Sequence, residues 1–178
     1  MSSLALTNDH TFPNIKTMSK QRGDDPIHLT QVEANRLLAM KKHCTESESY
    51  EFPFGGKKVR IPLISEDRRH EFELDVHSKQ IDLKKYTFGT RTRRVITLVR
   101  VDLRSGGRHV NPDHTVITGA HIHLYREGYG DKCAEPLPPE LGNPDCAFDV
   151  LQRFMDYCKI VTKPLIARSL FTDSTNES

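Results

Sequence analysis

The stretch RVITLVRVDLRSGGRHVNPDHTVITGAHIHLY, residues 94–125, decides the fold predicted for this chain. In its outer parts, 94–103 and 116–125, apolar residues recur at every second position, and this period is typical of strands that are buried on one face. The part between them is rich in Gly, Asn, Asp and Pro, which favour turns. We therefore predict two antiparallel strands whose connecting loop folds over their ends.

Helical patterns flank this pair of strands. Thr30 and Glu33 have the spacing of a capping box, and an apolar stripe at helical spacing follows them to about Cys44. Near the other end of the chain, Asp145 is placed to cap a second helix, in which apolar residues recur at helical spacing over 148–158. The sequence therefore predicts one helix on each side of the strands.

Further strands fill the region between the first helix and the pair. Residues 50–63 and 71–76 alternate between apolar and polar side chains, and another alternating segment begins at Ile81. An order of helix, antiparallel strands and helix is typical of α+β domains. We predict a single α+β domain over residues 27–171, with an antiparallel sheet of about five strands and the carboxy-terminal helix packed on one face.

Composition and charge narrow the class of protein. The chain has 178 residues, a formal net charge of +2 and four cysteines without a Cys-x-x-Cys pair. This length suits one domain, and reduced thiols are typical of the cytosol. No run approaches the roughly 20 apolar residues of a membrane helix, and the first residues lack a secretory leader. We expect a soluble cytoplasmic protein without membrane association, with a flexible polar arm at 1–26 and a polar tail at 172–178.

Chemically active residue types are concentrated in residues 109–131, which contain four of the nine histidines. Side chains two positions apart on a strand share a face, so His121, His123 and Tyr125 would follow one another at intervals of about 7 Å on one surface. The loop before them would bring His109 and Asp113 to the same place. We predict that the functional site lies here, on an open face of the sheet.

The leading hypothesis is a metal-independent ribonuclease of the toxin type. RNA cleavage requires a base, an acid and a cation at the phosphate, and His, Glu and Arg supply these groups. In this hypothesis His121 and His123 exchange protons with the substrate, Glu127 acts as base or orients a histidine, and no metal or other cofactor takes part. Two arginines would stabilise the phosphate, and a tyrosine would position a base. The complete predicted site is His109, Asp113, His121, His123, Tyr125, Glu127, Arg100 and Arg126.

A basic segment at 84–94 is a candidate track for single-stranded nucleic acid. It contains five cationic side chains interleaved with two aromatic ones, and this combination of charge and stacking surface binds nucleotides without reading their sequence. A solvated basic loop in front of a strand has the same composition, so both interpretations stay open. The residues predicted to bind nucleic acid are Lys84, Lys85, Tyr86, Arg91, Arg93 and Arg94.

A metal-binding enzyme is an alternative. His121, His123 and Glu127 have the His-x-His-x-x-x-Glu spacing of cupins, in which imidazoles and a carboxylate hold iron, manganese or zinc. His109 or Asp113 could complete such a ligand set. The glycine pattern and the second histidine motif of cupins are missing, and for this reason the leading hypothesis contains no metal.

A third possibility is that the domain binds without catalysing. The same His, Tyr and Arg side chains would then form a recognition surface of the kind that is enriched at binding hot spots. The corresponding function is a non-catalytic inhibitor of a nucleic-acid-guided defence complex. A substitution that removes binding, in a protein that never shows turnover, would distinguish it from an enzyme.

One part of the chain resembles a known family. His109-x-Asn111-Pro112-Asp113, followed by His-Ile-His-Leu-Tyr-Arg-Glu-Gly-Tyr-Gly-Asp at 121–131, is similar to a bacterial family of small proteins of unknown function from mobile elements and prophages. The resemblance covers roughly residues 29–160 and transfers no catalytic role. It implies a setting in which small proteins are often toxins or inhibitors of defence systems, with RNA, an antitoxin or a defence complex as partner. The predicted order of elements also looks like that of RelE-like and barnase-like ribonuclease toxins, a likeness of fold alone.

Overall fold

The computed structural model describes residues 28–80, 85–104 and 106–168. The arm and tail predicted at 1–26 and 172–178 lie outside these residues, as does Ile81, where one strand is predicted to begin. In chain order the elements are α1 (Gln31–Ala39), β1 (Lys42–Cys44), β2 (Ser49–Glu51), β3 (Lys58–Ser65), β4 (Glu71–Ser78), β5 (Tyr86–Thr92), β6 (Ile96–Leu103), β7 (Arg108–Val110), β8 (Val116–Thr118), β9 (His121–Leu124), β10 (Ala134–Pro136), α2 (Ala147–Tyr157), β11 (Ile160–Thr162) and β12 (Leu165–Ala167).

Eight of the strands form one mostly antiparallel sheet in the order β10-β9-β6-β5-β4-β3-β1-β11, in which β1 and β11 are the parallel pair. Strands β2 and β12 form one small sheet, and the β7–β8 hairpin forms another. The predicted single α+β domain is confirmed, but about five strands is too few. Strands β1, β10 and β11 have three residues each. Such short strands show no alternating pattern in the sequence.

The first helix begins where it is predicted to begin. Thr30 Oγ1 accepts a hydrogen bond from Glu33 N at 3.2 Å, which satisfies one of the donors at the start of α1. The helix ends at Ala39 instead of about Cys44, because the following residues join the sheet as β1. Neither helix in the described part of the chain is long and apolar enough to cross a membrane.

One hydrophobic core lies between the helices and one face of the sheet. Val76, Phe88, Val101 and Ile122 are paired across four neighbouring strands, and all of them are buried. The ring of Phe88 packs against that of Phe154 in α2, with the ring centroids 6.2 Å apart, and α1 contributes to the same cluster. The opposite face of the sheet is therefore available for polar side chains.

That opposite face carries two cross-strand rows of polar residues. Directly paired residues of antiparallel strands project to the same side of a sheet. One row is Arg60, Asp75, Gly89, Arg100 and His123, and the other is Lys58, His77, Thr87, Asp102 and His121. Both rows end at a histidine of β9, so the sheet holds these two imidazoles side by side with Arg100 and Asp102.

Candidate metal centre

Three histidines meet at the end of the two polar rows. His121 and His123 belong to β9, and His109 belongs to β7 of the neighbouring hairpin. One ring nitrogen of each residue lies within 4.8 Å of the corresponding nitrogens of the other two. The ring centroid of His123 is 4.7 Å from that of His109 and 4.9 Å from that of His121. The structure thus brings together three predicted site residues, which we call the His cluster.

The His cluster is more enclosed than an open sheet face would be. The side chains of His121 and His123 are both 0% exposed, which differs from the prediction that they face water. The cover is the β7–β8 hairpin and not a helix, since His109 lies against both rings. A hairpin that docks on a sheet by tertiary contacts leaves no alternating signal at the strand it covers. This burial was therefore not predictable from the period of β9.

The backbone fixes the proton position on two of the rings. A carbonyl oxygen only accepts hydrogen bonds, so a ring nitrogen in contact with one must carry the proton. His121 Nδ1 lies 2.7 Å from the carbonyl oxygen of Gly119, and His109 Nε2 lies 2.8 Å from that of Lys132. These bonds leave the lone pair on Nε2 of His121 and on Nδ1 of His109.

The third ring has two competing partners at one nitrogen. His123 Nε2 lies 3.3 Å from Asp102 Oδ2 and 3.0 Å from a terminal nitrogen of Arg100. If Nε2 accepts from Arg100, then Nδ1–H is a buried donor without an acceptor, which costs about 1–3 kcal/mol. If Nε2–H donates to Asp102, the lone pair on Nδ1 is available as a ligand. We favour the second arrangement because it leaves no donor of this fully buried ring unpaired. The Arg100 nitrogen that then loses its acceptor belongs to a side chain that is 31% exposed and paired with Asp102 and Asp131.

Two buried nitrogens of the cluster have no hydrogen-bond partner within the described residues, namely His121 Nε2 and His123 Nδ1. These are the atoms that the hydrogen bonds above leave with lone pairs. Metal-binding histidines almost always donate their other ring N–H to a carbonyl or a carboxylate, and all three rings fit this rule. A third unpartnered nitrogen, Nε2 of His43, belongs to β1 and lies outside the His cluster.

Asp102 is the charged group beneath the cluster. Burial alone would raise the pKa of its carboxyl, but hydrogen bonds from His123 and Thr87 and the charge of Arg100 outweigh burial and hold the pKa well below its usual range. Asp102 Oδ2 also lies 3.7 Å from Nε2 of His121, which is beyond hydrogen-bond distance. A carboxylate oxygen and an imidazole lone pair at this separation both attract a cation.

The imidazole of His121 is kept neutral by its surroundings. Burial lowers the pKa of this ring, more than the bond to the carbonyl of Gly119 and the charge of Asp102 raise it. Neutral imidazole is the form that binds a metal ion. The protonation state of His121 and its hydrogen bond therefore both leave a lone pair that could bind a metal ion.

Arg100 also belongs to this neighbourhood. Besides its contact with His123, its guanidinium forms ion pairs with Asp102, at 3.3 Å, and with Asp131. Its side chain remains 31% exposed. Arg100 is therefore beside the His cluster as predicted, but carboxylates already neutralise the charge that was predicted to meet a phosphate.

Tyr125 and Glu127 lie elsewhere and fix the start of α1. The strand ends at Leu124, and the hydroxyl of Tyr125 then accepts a bond from Leu29 N and donates one to Leu29 O, each at 2.9 Å. Glu127 Oε2 accepts a bond from Gln31 N at 2.8 Å. The cupin-like spacing thus does not bring Glu127 to the two histidines of β9.

Asp113 and Arg126 are also engaged in local contacts. Asp113 Oδ1 accepts bonds from Thr115 N, at 3.0 Å, and from Thr115 Oγ1, at 2.7 Å, and so stabilises the turn of the hairpin. Arg126 pairs with Glu135 at 2.9 Å. Neither contact leads to the His cluster.

The basic segment is largely engaged in ion pairs and in the core. Arg91 contacts Glu73 at 2.5 Å and Asp75 at 3.1 Å, and Arg93 contacts Glu33 at 2.6 Å. Within the same segment, the ring of Tyr86 is buried and stacks on Phe52. Lys84 lies outside the described residues, Lys85 is half-buried and Arg94 is exposed. Among the members of this segment that the structure describes, the side chains do not form one exposed track.

Sequence reasoning missed the three groups that orient the His cluster, one for each ring. Asp102 had a signal, because it lies two positions after Arg100 on a strand and so shares its face. The carbonyl oxygens of Gly119 and Lys132 had none, since every residue has a carbonyl and only the fold decides where it points. The neighbours that set the proton positions are therefore mostly invisible in the sequence.

The comparisons with known proteins give a family and no activity. No curated protein and no solved structure matches the chain. The family of unknown function DUF6978 matches residues 29–160, which is well over half of the chain and agrees with the range of the resemblance noted in the sequence. The chain therefore belongs to the family of unknown function DUF6978.

Proposed function

We propose that this protein is a metal-dependent hydrolase in which His109, His121 and His123 bind one divalent transition-metal ion, with Zn²⁺ as the first candidate. The observation that carries the proposal is a pair of buried imidazole nitrogens beside a third imidazole, neither of which has a partner among residues 28–80, 85–104 and 106–168. An orphaned buried polar atom is destabilising, and a metal ion would satisfy both at once. Imidazole ligands suit zinc, copper, iron and nickel.

The ligand set favours catalysis over a purely structural role. Structural zinc sites are closed by four protein ligands, whereas three ligands leave a position for water or substrate. Three neutral imidazoles also leave the full charge of the ion in place, and such a centre lowers the pKa of a bound water towards neutrality. Asp102 would orient His123, and the carbonyls of Gly119 and Lys132 would orient the other two rings.

A metal-independent ribonuclease has less support from the contacts. Glu127 and Tyr125 bond to the start of α1 and not to the His cluster, and carboxylates already neutralise Arg100. The acid, base and cation of that hypothesis therefore do not converge on one point. The metal centre needs only the three imidazoles, and substrate would reach it beside the partly exposed His109. RNA as substrate, an antitoxin or a defence complex as partner, and a setting in mobile elements stay predictions that rest on the sequence.

Metal binding tests the proposal directly. Protein without a His-tag, dialysed against EDTA and then titrated with ZnCl₂ in a calorimeter, should bind one ion per chain. His121→Ala or His123→Ala should weaken binding by at least about 100-fold, since even the residues that merely orient a ligand are worth 10- to 100-fold. His70→Ala, which removes a histidine outside the His cluster, is the matched control and should bind as the unaltered protein does.

Hydrolysis tests the catalytic half of the proposal. The zinc-loaded protein should hydrolyse activated esters or phosphodiesters such as p-nitrophenyl acetate and bis(p-nitrophenyl) phosphate. EDTA should remove this activity, ZnCl₂ should restore it, and His121→Ala should stay inactive. Zinc binding that is equally strong in the His121, His123 and His70 variants would contradict the metal centre. Stoichiometric binding without turnover of either substrate would contradict the hydrolase.

A further inference from the structure

The β7–β8 hairpin carries His109 but is not part of the main sheet. Its strands pair only with each other, through three residue pairs from Arg108↔Thr118 to Val110↔Val116. The hairpin continues into β9 through Gly119. Its φ of +83° is a backbone angle that residues other than glycine rarely adopt. No strand ladder therefore sets the position of His109 relative to β9, and another contact must do so.

Asn111 makes that contact with the edge of the sheet. Its Oδ1 accepts a hydrogen bond from Ala134 N at 2.7 Å, and its Nδ2 donates one to Ala134 O at 2.9 Å. The side-chain amide thus pairs with the outer edge of β10 as the backbone of another strand would. Asn111 is only 7% exposed, so these bonds are protected from water.

The position of Ala134 links this contact to the His cluster. Ala134 lies directly opposite His123 in the pairing of β10 with β9. Two residues before Ala134, the carbonyl oxygen of Lys132 receives the hydrogen bond from His109. The same short segment therefore holds the hairpin through Asn111, holds the ring of His109, and flanks His123.

The turn of the hairpin holds the Asn111 side chain in place. Thr115 Oγ1 accepts a bond from Asn111 Nδ2 at 2.9 Å and donates one to Asp113 Oδ1 at 2.7 Å. The backbone closes the same turn, because Asn111 N donates to Thr115 O at 2.9 Å. Pro112 fixes the backbone between Asn111 and Asp113. The Asn-Pro-Asp motif, which contributes no ligand to the metal centre, thus orients an amide towards β10.

We infer that Asn111 is a positioning residue, which docks the β7–β8 hairpin on β10 and so turns the two imidazoles of β9 into a three-ligand metal site. The inference rests on the proposed metal centre. Asn111 touches neither the ion nor the substrate, and acts on metal affinity through His109. Its effect on affinity should therefore disappear when His109 is absent.

A double-mutant cycle of zinc affinity tests this dependence. Asn111→Ala should weaken binding by about 10- to 100-fold, as the loss of other outer contacts of metal ligands does. In a His109→Ala background the same substitution should change the affinity by less than about 2-fold, because coupled residues are not additive. Asn143→Ala removes an asparagine that bonds within another loop and should leave the affinity unchanged. Equal losses from Asn111→Ala in both backgrounds would overturn the inference.

Hydrogen exchange of the metal-free protein provides a second measurement that needs no ion. Asn111→Ala should accelerate exchange of the Ala134 amide and of the hairpin amides, while the amides of β4 and β5 stay protected. Unchanged exchange at Ala134 would overturn the docking contact and leave the metal centre standing. Unaltered protein that binds no zinc would overturn the proposed function and the role of Asn111 together, whatever the exchange experiment shows.

Discussion

Lys42 and the histidine pair of β9 are two buried basic groups at opposite ends of the sheet. Lys42 lies on β1 and the histidines on β9, each one strand in from an edge of the sheet, and all three side chains are fully buried. The ammonium of Lys42 has three hydrogens and three acceptors, the carbonyl oxygens of Leu38, Met40 and Cys158 at 2.9–3.0 Å. The imidazoles leave two nitrogens without partners in the described part of the chain.

The difference shows that burial alone does not identify a site. A buried polar group with a complete set of partners is explained by the fold, and Lys42 joins the ends of α1 and α2 in this way. A buried polar group that has no partner among the described residues has a lone pair or proton that a ligand can use. The contrast therefore indicates a structural role for Lys42 and supports the proposed ligand binding by His121 and His123.

The largest expected change in the free energy of unfolding comes from removing the three hydrogen bonds of Lys42. Lys42→Met fills a similar volume but leaves three carbonyl oxygens without a donor, and each such loss costs about 1–3 kcal/mol. We expect the free energy of unfolding at pH 7 to fall by about 4 kcal/mol in urea denaturation. Lys41→Met is the matched control, because Lys41 forms an exposed pair with Glu66 that contributes about 0–1 kcal/mol. Similar losses in the two variants would break the comparison.

A slightly smaller change in the free energy of unfolding is expected when the pH is raised and Lys42 loses its proton. Burial lowers the pKa of Lys42 to about 8, although the nearby Cys158 raises it. Between pH 8 and the unfolded value of 10.5 the unfolded chain holds more protons at this site, so stability rises with pH across that window. The unfolding free energy of the unaltered protein should increase by about 3 kcal/mol relative to Lys42→Met.

Subtracting the unfolding free energy of Lys42→Met from that of the unaltered protein isolates the titration of Lys42 from that of other groups. Burial raises the pKa of Cys158 to about 12, although Lys42 lowers it, so removing Lys42 only raises this pKa further. The thiol therefore stays protonated up to pH 11 in both folded proteins, and its contribution cancels. The measurement is urea denaturation at closely spaced pH values from 7.5 to 11. If the difference in unfolding free energy between the two proteins does not change between pH 8 and 10.5, burial does not lower the pKa of Lys42.

The smallest change in the free energy of unfolding is expected at His123, which has one ring nitrogen without a partner among the described residues. In EDTA, His123→Leu removes one orphaned nitrogen and replaces it with an apolar group of similar size. The orphaned nitrogen is lost at no cost, but Asp102 loses the bond from Nε2, so the unfolding free energy should fall by about 1–2 kcal/mol. With zinc at 100 times its dissociation constant the unaltered protein should gain about 2.7 kcal/mol and the variant nothing. A large loss in EDTA would mean that His123 is as fully satisfied as Lys42.

Much of the site face could be predicted from the sequence, because side-chain period is a local property. Alternation places His121 and His123 beside Arg100 and Asp102, and the strand pairing agrees. The alternation does not extend to Tyr125, because β9 ends at Leu124 and the tyrosine bonds to the start of α1. A period read from sequence does not show where a strand ends.

The ion pairs of the basic segment could not be predicted, because they join distant parts of the chain. The carboxylates that pair with Arg91 are Glu73 and Asp75 of the neighbouring strand, and Glu33 of α1 pairs with Arg93. These partners lie 16 to 60 positions away in the sequence. A basic run therefore looked free in the sequence, although the fold neutralises much of it.

The division of the three proposed ligands between a strand of the main sheet and a separate hairpin has a consequence for how the proposed metal centre can change. Two imidazoles are fixed by the eight-stranded sheet, and the third arrives on a short appendage. Loops on a stable scaffold accept insertions and substitutions more readily than the scaffold does. Relatives could therefore exchange the third ligand, and with it the preferred ion, by altering about a dozen contiguous residues while the rest of the architecture stays the same.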